Sequence, residues 1–90
     1  MKRYHVIIEG AVQGVGMRSF CILEAQQRHL TGTVRNMSNG MVEVFVQGEE
    51  NQIDDFLQAV RKGTRFVKVT DMTEKEVPVV ENEKRFTYGR

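Results

Sequence analysis

Gly10-Ala11-Val12-Gln13-Gly14-Val15-Gly16-Met17-Arg18 decides how this chain is read. It follows a run rich in aromatic and β-branched residues, Tyr4 to Glu9, and precedes a helix-forming run, so it marks a strand-to-helix junction. Three glycines in nine residues let backbone N–H groups come close to a ligand, because no Cβ stands in the way. Such inward N–H groups form an anion nest, and the N-terminus of the following helix adds positive potential. Arg18 brings a planar cationic fork to the same place. The ligand class implied is a phosphate group. Two familiar glycine motifs are excluded. A Walker-type loop ends in Gly-Lys-Ser/Thr, whereas Met17 and Arg18 follow Gly16. A dinucleotide fingerprint needs a third glycine or an alanine where Ser19 stands.

Working outward, Tyr4 to Glu9 predicts a buried strand, and Met17 or Arg18 to about Leu30 predicts a helix. That helix has an imperfect apolar face of Phe20, Cys21, Leu23, Ala25 and Leu30, with Gly32 as its expected stop. Thr33 to Asn36 is a short strand, Ser38-Asn39-Gly40 a hairpin turn, and Met41 to Gln47 the returning strand with Val42, Val44 and Val46 on one face. The second helix is cleaner, with Ile53, Phe56, Leu57 and Val60 at i, i+3, i+4 and i+7. Asn51 is its expected N-cap and Gly63 its stop. Phe66 to Thr70 predicts a strand running on towards Val77, Val80 to Lys84 a polar connection, and Arg85 to Tyr88 a terminal strand. The order βαββαβ, with a short last strand, predicts an α+β ferredoxin-like split-βαβ sandwich: an antiparallel sheet with both helices on one face.

Ninety residues make one modest core, so residues 1–90 are expected to form a single domain. Thirteen basic and twelve acidic residues leave a charge of +1, too little to draw the chain to nucleic acid or a membrane. Cys21 is the sole cysteine and cannot form an intrachain disulfide. Val6-Ile7-Ile8, broken by Glu9, is too short for a signal-peptide core, and no stretch has transmembrane length. A cytoplasmic monomer is expected.

Two signatures bring in a family. Gly10 to Phe20 resembles the G-x-V-Q-G-V-G-F-R-x-F/Y/H pattern of the acylphosphatases. Gly32-Thr33-Val34-Arg35-Asn36, with Gly40, Val42 and Gly48, is similar to their second pattern, G-x-V-x-N-x-x-x-G-x-V-x-x-x-x-x-G. The resemblance implies a hydrolase of carboxyl–phosphate anhydrides that works without cofactor or metal. It implies that Arg18 binds the phosphate, that Asn36 positions the attacking water, and that the loop Gln13, Gly14, Val15, Gly16, Met17 and Arg18 cradles the phosphate. The implied partners are a small-molecule acyl phosphate and inorganic phosphate as product. Met17 stands where phenylalanine is common, Thr33 where a bulky residue is usual, and Glu49 where proline is frequent. Thr33 bears on packing or on the acyl-group side of the site.

The residue types suit that chemistry. The carboxylate is a good leaving group, so phosphoryl transfer needs placement and charge stabilisation more than a strong base. A guanidinium stays charged and offers bidentate geometry, which lysine lacks. An asparagine amide does not titrate near neutrality, but its oxygen accepts a hydrogen bond from water and aims the lone pair. His5 and His29 have no spacing that marks a metal or catalytic pair, and Cys21 reads as a small core residue. Two other classes compete with an enzyme. A non-catalytic phosphate- or carbamoyl-phosphate-binding domain would share the loop. An RNA-binding ferredoxin-like module would need a basic-aromatic central strand, where Met41 to Gln47 has only Phe45.

Overall fold

Alternation of side chains along the strands sorts the chain into two layers. The computed structural model describes residues 1–89. Its elements are β1 (Lys2–Ala11), α1 (Met17–Gln27), β2 (Thr31–Asn36), β3 (Val42–Gly48), α2 (Glu50–Lys62), β4 (Lys68–Val77) and β5 (Phe86–Tyr88). Val6 and Ile8 of β1, Val34 of β2, and Val42, Val44 and Val46 of β3 are buried on one sheet face. Met17, Cys21 and Ala25 of α1 and Ile53, Phe56, Leu57 and Val60 of α2 join them in one core. Both helices therefore cover a single face, as the α+β reading predicts.

The sheet order is β4-β1-β3-β2-β5. The four longer strands pair antiparallel. β5 pairs parallel with β2, setting Gly32 opposite Phe86 and Val34 opposite Tyr88, so the sheet is mixed. The cause is the route of the chain. β4 stops at the end of the sheet where β2 begins, and a connection crossing that end enters beside β2 in the parallel direction.

Several boundaries differ from the sequence reading. α1 stops at Gln27, not near Leu30. His29 takes a left-handed conformation (φ 57°), its N–H donates to the Gln26 carbonyl (3.2 Å) and the Leu30 N–H to the Ala25 carbonyl (3.0 Å). This is a Schellman cap with histidine in the position glycine usually takes. Gly32 is not the cap: it lies inside β2 at φ 142°, where a Cβ would meet the Phe45 carbonyl oxygen. Leu23, expected on the apolar face, is 58% exposed. The N-cap of α2 is Glu49, without a side-chain bond, and the Asn51 side chain instead accepts the Gln52 N–H at 3.0 Å. Phe66 precedes β4 and is exposed.

The other sheet face carries polar and aromatic groups. His5 stacks on Phe45 with ring centroids 4.6 Å apart. Glu43 lies 2.7 Å from His5 Nε2 and accepts the Arg35 Nε–H at 2.6 Å. Burial pushes the Glu43 carboxyl up, but the hydrogen bonds from His5 and Arg35, with their charges, outweigh it and hold the group below its ordinary value. At the end of the sheet remote from the glycine loop, the β4–β5 connection is pinned by the buried Gln47. Its amide donates to the Val80 carbonyl (2.9 Å) and accepts the Val80 N–H (2.8 Å). Arg3 donates to Gln47 (3.1 Å) and to Glu83 (2.8 Å), closing a polar network under that connection.

Candidate active site

The opposite end of the sheet gathers the residues singled out in the sequence. Asn36 ends β2 and Tyr88 ends β5. Both share the parity of Val34 and Phe86, so both sit on the helix-covered face, below the N-terminus of α1. A cleft of about 100 Å³ lies between them, lined by Val12, Gly14, Gly16, Met17, Arg18, Ser19, Asn36 and Tyr88. That is well below the roughly 300–1,000 Å³ of pockets for drug-sized ligands. It suits one small group.

The loop takes its shape from glycine and from two buried anchors. Gly14 and Gly16 have φ of 73° and 82°, the left-handed region that side chains disfavour. Val12 and Met17 on either side are buried in the core and fix the loop's ends. Gly16 is the N-cap of α1 and offers no side-chain acceptor. The Phe20 N–H donates to the Gly16 carbonyl at 3.0 Å, which leaves the N–H groups of Met17, Arg18 and Ser19 without an intrahelical acceptor. Arg18 is exposed at the cleft, and among the described residues no carboxylate lines it. The local field is therefore positive.

Asn36 supplies an unusual acceptor. Its side-chain oxygen is buried and has no hydrogen-bond partner among the described residues. An unsatisfied buried carbonyl costs about 1–3 kcal/mol, so such an oxygen at a cleft marks a place for a donor. The expected residues Gly14, Gly16, Met17, Arg18 and Asn36 thus meet at one cleft. Gln13 and Val15 do not line it. Gln13 turns its amide away to donate to the Met37 and Met41 carbonyls, at 2.8 Å each, and ties the loop to the β2–β3 turn. Val15 packs against the core.

A family model named Acylphosphatase matches residues 4–88. The chain belongs to the acylphosphatase family. A protein named acylphosphatase from Clostridium acetobutylicum is 45% identical over 96% of this chain and 94% of its own length. The crystal structure of acylphosphatase from Bacillus subtilis superposes with a TM-score of 0.94 at 41% identity, covering both chains fully. The fold also occurs inside something larger: the structure of T. kodakarensis HypF matches all of this chain with 12% of its own, at 30% identity and a TM-score of 0.87. Acylphosphatases act on small acyl phosphates, and this chain is a hydrolase of that class.

The remaining candidates fall outside the acylphosphatase cleft. Cys21 is fully buried, and burial, helped by the nearby Glu24, pushes its thiol up to about 12, so it stays protonated in the core. His5 lies on the other sheet face and His29 in the α1 cap. Thr33 faces the same way as Phe45, its partner across β3, and does not border the cleft. Three lining residues were missed by the sequence reading, Val12, Ser19 and Tyr88. Ser19 was legible as the residue after Arg18. Tyr88 reaches the cleft only because β5 runs parallel to β2, which no local pattern announces. No helix of the described residues is long and apolar enough to cross a membrane.

Proposed function

We propose that this enzyme hydrolyses acyl phosphates by direct in-line attack of water on phosphorus. The loop 13–18 and Arg18 hold the phosphate, and Asn36 positions the water. The observation that carries this is that Asn36, whose side-chain oxygen has no hydrogen-bond partner among the described residues, lines the same cleft as Arg18 and the N-terminus of α1. Water donates one hydrogen bond to that oxygen and aims a lone pair at phosphorus. The new P–O bond forms as the bond to the acyl oxygen breaks. That oxygen leaves with the electron pair as carboxylate, and the water proton passes to phosphate or solvent. Arg18 and the N–H groups meet the charge on the equatorial oxygens. The chain works as one domain over 1–90, a cytoplasmic monomer without cofactor or nucleic-acid partner.

The test is hydrolysis of benzoyl phosphate, with chelator present, by wild type, Arg18→Ala and Asn36→Ala. Arg18→Ala is expected to lower kcat and raise KM, with kcat/KM falling at least ~100-fold. Asn36→Ala should lower kcat by a comparable factor and leave KM nearly unchanged. Near-normal turnover in Asn36→Ala would remove the water-positioning role. Folded wild type that binds inorganic phosphate yet does not hydrolyse this carboxyl–phosphate anhydride would make this a binding domain.

A further inference from the structure

Tyr88 borders the cleft but has no part in the chemistry proposed for it. Its place is set by backbone: Tyr88 stands opposite Val34, and the next N–H, from Gly89, donates to the Val34 carbonyl at 2.8 Å. The Arg18 guanidinium carbon lies 5.5 Å from the centroid of the Tyr88 ring. The Tyr88 hydroxyl lies 3.3 Å from Ser19 Oγ, the side chain next to Arg18. Among the described residues no carboxylate pairs with Arg18. An arginine on an exposed helix start otherwise samples many rotamers, and a phosphate that binds it must freeze them.

We propose that Tyr88 is a positioning residue for Arg18, its ring holding the guanidinium at the mouth of the phosphate loop before substrate arrives. This rests on Arg18 being the phosphate clamp. A clamp that is competent for only part of the time weakens apparent affinity by that fraction, while the bound complex is the same. The ring's effect is therefore carried by KM and by phosphate affinity, not by kcat. A cation–π contact at a partly exposed site corresponds to roughly a two- to fivefold change.

The experiment measures kcat and KM for benzoyl phosphate and the inhibition constant of inorganic phosphate. The variants are Tyr88→Leu, Tyr88→Phe, Arg18→Ala and the double change of Arg18→Ala with Tyr88→Leu. Tyr88 is 55% exposed, and thermal melts check that each variant is folded. Tyr88→Leu is expected to raise KM and the phosphate inhibition constant by one common factor, about two- to fivefold, at unchanged kcat. Tyr88→Phe keeps the ring and should match wild type. In the Arg18→Ala background, Tyr88→Leu should change nothing further. An undiminished Tyr88→Leu effect in that background would mean that the ring acts on the substrate itself, and overturns the proposal. So does a Tyr88→Phe variant as impaired as Tyr88→Leu, or a Tyr88→Leu variant with both constants unchanged. Failure of the underlying clamp reading shows separately, as an Arg18→Ala enzyme with wild-type KM and phosphate inhibition.

Discussion

The two helices solve the same packing problem with different means. α2 has a continuous stripe of Ile53, Phe56, Leu57 and Val60, an acid at its positive end (Glu50) and Arg61 and Lys62 at its negative end. α1 has none of these aids: no acid in its first turn, no base in its last, and only Met17, Cys21 and Ala25 buried. Its C-terminus closes on a histidine in a conformation better suited to glycine. The difference teaches what each helix is for. α2 spends its sequence on stability. α1 leaves its positive end open to the cleft and forgoes the stabilising residues that would fill it.

The largest break in that contrast should come from α2. Phe56→Ala removes its central core ring, which also packs on Phe86 at a centroid distance of 5.9 Å. A loss of about 3–5 kcal/mol in denaturant unfolding is expected. The folded fraction should keep its kcat. A loss below about 1 kcal/mol would show that α2 does not carry the core. A second substitution sharpens the contrast by giving α1 what α2 has. Ser19→Asp puts an acid in the first turn, worth about 0.3–1 kcal/mol of stability. The same charge faces the cleft, so KM should rise about tenfold, roughly 1.4 kcal/mol. Unchanged KM would mean that the open end of α1 is not where the anion sits. The smallest effect is at the other end. His29→Gly relieves the left-handed residue and should stabilise the fold by about 0.5–1 kcal/mol, read as a small rise in Tm with kcat/KM unaffected.

The same contrast explains how much could be read in advance. α2 was legible because its periodicity, charges and terminal Gly63 all agree with one helix. The βαββαβ order and the Asn39-Gly40 turn were legible for the same reason, although the loop runs from Met37 to Met41 and closes with the Met41 N–H on the Asn39 side chain at 3.0 Å. The end of α1 was not, because Gly32 looks like a stop signal while its true work is close packing against β3. Histidine visits the left-handed region often enough to cap a helix but too rarely to predict it. In the site, Arg18 and Asn36 were legible through their two local signatures. Tyr88 was not, since its role depends on pairing between strands more than fifty residues apart in sequence.

Gln13 has a consequence for motion. Its one amide grips the carbonyls of Met37 and Met41, so the glycine loop and the turn just beyond Asn36 are fastened as a single body. Thermal breathing of the sheet then displaces both together, and the spacing between the glycine loop and Asn36 is insulated from it. Relaxation measurements on the free enzyme should find the two segments, distant in sequence, fluctuating in step.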